Sequence, residues 1–265
     1  MKYILLILML IGCGHHKSHD TKSPFEKIQE NRNFIVNQIN PDNWKHRCDK
    51  LTFFSLYSAF GLRQDLSRFV YDDMIHRDTT RCYPEESRSE VSLDPILMML
   101  HHIVSYGDTT LLDEIIRIGS KRGWIMADGP EEYTNIFFLI STIYKLKSQY
   151  SLVDARSDIS SVVDILSGYK GHIAAMYIYL QGRIYGELNE IEYQTMKQIF
   201  DSNTENPLYS AIYHRFTDGD QSYTINLLNK LFSYGIFPVG ISRTGWGSCP
   251  DSVLYITTVA IMEGR

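Results

Sequence analysis

Six segments that are apolar nearly all round alternate along this chain with segments that carry one apolar stripe and a charged back. The first set covers residues 51–60, 96–104, 136–144, 173–180, 208–216 and 253–262. The second set falls between them. Leu111, Leu112, Ile115 and Ile118 run beside Asp113, Glu114 and Arg117, and Leu188, Ile191 and Ile199 beside Glu190, Glu192 and Lys197. A helix apolar on every side must be buried, whereas a striped one lies at the surface, so the pattern dictates an inner, outer, inner, outer order. Strand signals are poor, with few alternating Val/Ile/Thr runs and no Asn-Gly turn. The inner helices are predicted to start near Asp49, Ser92, Glu131, Gly171, Asn206 and Ser252, a loose period near forty residues. Periods of that size belong to stacked helical hairpins.

The expected fold is therefore all-α, with twelve helices in six pairs. Two arrangements satisfy the period: a closed α/α toroid of six helical hairpins, or an open helical-repeat solenoid. A solenoid needs a terminal repeat with a polar outer face. Here the last segment, 253–262, is apolar and must be covered, and the striped segment 24–39 can cover it by completing the sixth pair. The toroid is the preferred expectation.

The first residues read differently. One positive charge at Lys2 precedes an unbroken apolar run over 4–11, too short to span a bilayer but suited to the core of an export signal. It ends at Leu10-Ile11-Gly12-Cys13, which resembles the lipobox of bacterial lipoproteins. That resemblance implies cleavage before Cys13, a diacylglycerol on its thiol, and attachment to a membrane by several acyl chains. Gly14 in place of Asp implies the outer membrane if the host is Gram-negative. The expected organisation is a signal peptide over 1–12, a lipidated Cys with a flexible tether over 13–23, and one domain over 24–265. His15, His16 and His19 in the tether lack a Cys or carboxylate framework, so no metal is expected there. Cys48, Cys82 and Cys249 remain after lipidation; their odd count leaves at least one thiol free, and the pairing stays open. A net charge of −5 without a basic block argues against a nucleic-acid partner. The oligomeric state stays open.

The loops are asymmetric. Turns from inner to outer helices are short and carry Gly, as at Gly61, Gly107 and Gly219, while the returns over 40–48, 75–91, 120–130 and 233–251 are long. The long returns must share one mouth, where inner-helix N-termini converge and their dipoles favour anionic groups. Chemically capable residues collect there. Asp49, Asp94 and His172 are the expected catalytic groups, the carboxylates as an acid/base pair and the imidazole as a proton carrier. Arg88 can grip a carboxylate or phosphate through its planar fork, Trp44, Trp124 and Trp246 can stack on sugars, and His214, a little over one turn inside the fifth inner helix, is the remaining residue expected to bind substrate. Plainer readings stand beside these. Asp49 and Asp94 can cap their helices, Arg88 can bridge to either, His214 can be a core histidine, and each Trp can pin its own loop.

Ser87-Arg88-Ser89 followed by Asp94, Gly168-Tyr169-Lys170-Gly171-His172, and Tyr213-His214-Arg215-Phe216-Thr217-Asp218-Gly219-Asp220 resemble a family of uncharacterised bacterial proteins, over about 44–220. The resemblance implies the domain and no particular reaction. The architecture is similar to that of glycoside hydrolases and polysaccharide lyases built on α/α toroids. Toroidal lanthionine cyclases hold zinc with two Cys and a His, but the chain has no Cys-x-x-Cys or Cys-His pair, so neither a metal nor a cofactor is expected. The nucleophile elbow, the Walker loop, the dinucleotide glycines and His-Glu-x-x-His are absent as well. The function expected is that of a membrane-anchored lipoprotein acting on an envelope or extracellular polysaccharide. The alternatives are a non-catalytic glycan- or protein-binding lipoprotein, and a structural or phage exclusion lipoprotein. Metabolic labelling with palmitate should mark the chain and vanish in Cys13→Ser; label that persists in the variant refutes the lipobox.

Overall fold

A computed structural model describes residues 22–44, 50–78, 91, 93–124, 171–217, 219–235 and 251–265. The chain is mostly helical. Among the described residues the α-helices are α1 (Pro24–Gln38), α2 (Lys50–Phe60), α3 (Leu93–Tyr106), α4 (Thr109–Lys121), α5 (Gly171–Tyr185), α6 (Glu190–Ser202), α7 (Pro207–Arg215), α8 (Ser222–Ser233) and α9 (Asp251–Met262). Every inner helix that falls on described residues starts within one residue of its expected position. The third, expected near Glu131, lies outside them.

Burial follows the sequence pattern. In α2 every residue from Leu51 to Phe60 is buried, and in α9 every residue from Asp251 to Ile261. In α4 only Leu111, Leu112, Ile115, Ile118 and Gly119 are buried. Local signals set the helix starts. Ser23 and Glu26 form a reciprocal capping box at α1, Asn189 and Glu192 another at α6, and Asp108 accepts from the Leu111 amide at α4. The end of α9 is a Schellman turn, with Arg265 N–H donating to the Ala260 carbonyl and Gly264 N–H to that of Ile261. Gly264 takes φ +90°, a conformation that glycine adopts without a Cβ penalty.

One expected outer helix is not formed. Residues 61–78, after α2, hold no α-helix. They make a 3-10 turn (Ser67–Phe69) and a two-stranded ladder, β1 (Val70–Tyr71) and β2 (Met74–Ile75). The register pairs Val70 with Ile75 and Tyr71 with Met74 across Asp72 and Asp73, both in the left-handed region at φ 51° and 61°. Two consecutive left-handed residues make the hairpin turn whose twist suits a ladder, and Asp tolerates that region better than most residues. Arg117 and Lys121 on α4 pair with Asp73 and hold the hairpin against that helix.

Helix α2 packs on α3, α3 on α5, α5 on α7, α7 on α9, and α9 on α2. Their C-terminal ends lie together. The Arg183 guanidinium sits 5.6 Å from the Phe60 ring and donates to Ser105 Oγ at 3.0 Å, and the Tyr179 ring meets Phe216 at 6.0 Å. Arg215 donates to the Ile261 carbonyl at 3.2 Å, and the Tyr179 hydroxyl to that of Arg265. These five helices are therefore parallel, with N-termini at one end and C-termini at the other. Helix α1 runs the opposite way on the outside: Arg32 donates to the Phe60 carbonyl at 2.7 Å, and the Tyr57 hydroxyl to that of Val36 at 3.1 Å. It covers α8 and α9.

Close approach of α5 to α7 depends on Gly182, where a Cβ would stand 2.3 Å from Cζ of Phe216. Gly182→Ala should destabilise the fold by about 1–3 kcal/mol, read as a lower urea midpoint; an unchanged midpoint would show that this approach is not required.

Candidate functional site at the inner-helix N-termini

The parallel alignment brings the first turns of α3, α5, α7 and α9 to one end. Asp94 is the second residue of α3 and is half-buried, inside the helix rather than at its cap. A carboxylate in the first turn is favoured by the helix dipole. His172 is the second residue of α5 and is 8 % exposed. Two turns further along, His101 and Tyr179 stack at 5.9 Å with ring planes 16° apart. Asp94 precedes His101 by seven residues, and His172 precedes Tyr179 by seven. Seven residues are two turns, about 10.5 Å of rise with a drift of only about 20°. Asp94 and His172 therefore lie at one level, on the same faces of α3 and α5 that meet in the His101–Tyr179 stack.

Two further groups share this end. Tyr209, in the first turn of α7, is 5 % exposed and has its hydroxyl 3.3 Å from where a Gly171 Cβ would be. Burial pushes its phenol up to about 12, so it is neutral at ordinary pH and able to donate. Asp251 opens α9 and is 7 % exposed. Sequence reasoning selected neither. Both were nonetheless detectable, because each is a polar residue in the first turn of an all-round apolar segment.

The other expected site residues are distributed unevenly. Trp44 is 4 % exposed, and its ring meets those of Phe53, Phe54 and Tyr57 edge to face at 6.4, 5.3 and 5.8 Å. So enclosed a ring has no open face for a sugar, and Trp44 packs against α2 instead. Trp124 lies over Gly119, where a Cβ would meet its ring at 2.5 Å, and its amide donates to the Gly119 carbonyl at 2.7 Å. It keeps partial exposure at the far end of α4. His214 is half-buried in the last turn of α7, edge-on to Phe200 and Tyr213 and away from the α7 N-terminus. Asp49, Arg88, Trp246 and Cys13 lie outside the described residues, as do Cys48, Cys82 and Cys249. Among the described residues no group of three His, Cys, Asp or Glu side chains could hold a metal ion. No described helix is long and apolar enough to cross a membrane.

The opposite end is locked by buried polar chains that sequence reasoning did not anticipate. The Gln64 amide donates to Ser58 Oγ at 2.6 Å, Ser58 Oγ lies 2.8 Å from His102 Nδ1, and His102 Nε2 lies 3.3 Å from Asp108 Oδ2. The carboxylate assigns the proton to Nε2, which leaves Nδ1 to accept from Ser58. A serine, a histidine and an aspartate are strung together as in a nucleophilic triad. Ser58 and His102 are both fully buried, however, so no substrate reaches the hydroxyl, and the chain joins α2 to α3. His101 is also fully buried, with Nε2 2.9 Å from the Met176 carbonyl and Nδ1 3.4 Å from Arg183. Burial first, and then the Arg183 charge, lower its pKa to about 3. Burial lowers that of His102 as well.

No family model, no curated protein and no solved structure matches the chain.

Because both imidazoles are held neutral in the fold and titrate near 6.5 when unfolded, the unfolded chain binds more protons over the interval between the two values. Stability is then full above about pH 6.5 and falls as pH drops; for His101 the fall continues toward pH 3, by at most about 1.4 kcal/mol per pH unit. His101→Gln should flatten that slope in denaturant titrations between pH 6.5 and 4. An equal slope in the variant would remove His101 from the account.

Proposed function

We propose that the five parallel helices and their outer partners form an α/α toroid, and that the chain is a lipid-anchored envelope protein acting on a polysaccharide at the toroid mouth. The observation that carries this reading is the placement of Asp94 and His172 at one level on adjacent helices, with Tyr209 and Asp251 in neighbouring first turns. The return of the last helix to the first supports ring closure, because an open array would keep its ends apart. The Leu10-Ile11-Gly12-Cys13 resemblance supports anchoring through Cys13, to the outer membrane in a Gram-negative host.

Two reaction types use this set of groups. In hydrolysis, Asp94 and a second carboxylate, Asp49 or Asp251, divide the tasks of protonating the leaving oxygen and stabilising or activating the incoming group. In elimination from an acidic sugar, His172 takes the proton beside the carboxylate and Arg88 neutralises that carboxylate. The bond to the leaving oxygen breaks as a double bond forms, and the Tyr209 phenol supplies the oxygen with a proton. The mouth also gathers the positive ends of the inner-helix dipoles, which suits an acidic polymer.

The second reading is a non-catalytic glycan- or protein-binding lipoprotein. The burial of His172, Tyr209 and Asp251 favours it, since side chains so enclosed exchange protons with a bound polymer less readily. Turnover of peptidoglycan and acidic polysaccharides, followed as new reducing ends and new ultraviolet-absorbing double bonds, separates the readings. New ends alone mean hydrolysis, and Asp94→Asn should then lower the rate by roughly 100-fold or more. Double bonds mean elimination, with His172→Asn giving a loss of that order. Binding without turnover across the panel would leave the binding lipoprotein.

A further inference from the structure

The point at which the tether joins the domain fixes which way the mouth faces. Helix α1 is antiparallel to the inner helices, so its first turn lies at their C-terminal end. Gln29 Nε2 donates to Glu263 Oε1, just beyond α9, at 3.1 Å, and one turn later Arg32 donates to the Phe60 carbonyl at the end of α2. The start of α1 is held firmly. Ser23 N–H donates to Glu26 Oε2 at 2.6 Å, the Glu26 amide returns a bond to Ser23 Oγ at 3.2 Å, and Lys22 pairs with Glu30 at 2.5 Å. Whatever precedes Lys22 therefore leaves the domain at the base, the end opposite Asp94, His172, Tyr209 and Asp251.

Eight residues lie between Cys13 and Lys22, a path of nine Cα steps. A coil of that many steps reaches about 17 Å on average and about 30 Å at full stretch. The inner helices are longer than that average reach: α3, at 14 residues, spans about 21 Å. To turn the mouth toward the bilayer, the tether would have to run back along the whole domain, drawn beyond its average reach to about 70 % of its full stretch, at the expense of its conformational entropy. With the base toward the bilayer, it needs no such extension. Leu62, 51 % exposed in the turn after α2, and Arg63, whose guanidinium lies 5.2 Å from the Tyr106 ring, both belong to that base.

We propose that the domain stands with its base to the lipid bilayer and its mouth facing away, so that its ligand is a polymer of the aqueous layer and not a lipid of the membrane that carries the anchor. The proposal rests on the anchor reading of Cys13.

The test uses the full chain purified from membranes of an expressing bacterium and reconstituted into phosphatidylethanolamine–phosphatidylglycerol vesicles with a headgroup acceptor dye. A genetically encoded fluorescent residue replaces Leu62 at the base or Ser202 at the end of α6, where Ile199 Cγ2 approaches the Gly171 position to 3.6 Å. A second pair, Thr217 at the base and Lys121 at the end of α4, repeats the comparison so that one misfolded variant cannot decide it. Energy transfer to the vesicle should be several-fold higher from positions 62 and 217 than from 202 and 121. Equal or reversed transfer, with binding that Cys13→Ser abolishes, overturns the orientation and leaves the anchor standing. Vesicle binding that is absent, or unaffected by Cys13→Ser, overturns the anchor and the orientation together.

Discussion

The Arg183 side chain sets the alignment on which the site depends. Its guanidinium lies against the Phe60 ring, bonds Ser105, and faces His101 and Tyr179, so one residue of α5 reaches both α2 and α3 near their C-terminal ends. Burial lowers its pKa without discharging it, and among the described residues no carboxylate lies within ion-pair distance. The opposing negative charge comes instead from the inner-helix C-termini, each equivalent to about half an electron. Arg32 and Arg215 complete this scheme with bonds to the Phe60 and Ile261 carbonyls. A cation shared among several helix ends requires those ends to be level. Helices α3 and α5 differ in length by one residue, so levelling their C-terminal ends also brings Asp94 and His172 to nearly the same height.

The inner helices could be read from sequence because burial on all sides leaves little freedom in composition. An apolar segment such as 253–262 in a chain of ordinary charge has no alternative to the interior. The outer elements are less constrained, since a striped surface segment tolerates several backbone shapes. That is why residues 61–78 defied the twelve-helix expectation: Asp72-Asp73 turns the chain in two residues, and two aspartates carry no distinctive hairpin signature. Trp44 shows the same ambiguity in a side chain. A tryptophan before an apolar helix can face solvent or core, and only the three aromatic rings around it settle which.

The site was legible to the level of helix ends. Asp94 and His172 follow from the period and from the rule that first turns of parallel helices converge. Tyr209 and Asp251 obey the same rule, but the eye passes over a tyrosine in a tyrosine-rich chain and a carboxylate that follows Pro250. The buried chain of Ser58, His102 and Asp108 was beyond reach for another reason. Its members lie 44 and 6 residues apart, and only the packing of α2 on α3 makes them neighbours.

The bond between Gln29 and Glu263 joins groups 234 residues apart. Contacts at such separation pay nearly the full loop-closure entropy of the chain before they return anything, whereas hairpins such as α5 with α6 form from local contacts. Assembly should therefore run through adjacent hairpins that exist before the last helix finds the first two. Until then, the faces of α9 that meet α1 and α2 have no cover. A chain built this way stays an incomplete, sticky intermediate until its final segment arrives, and remains open to capture by chaperones for as long as it waits.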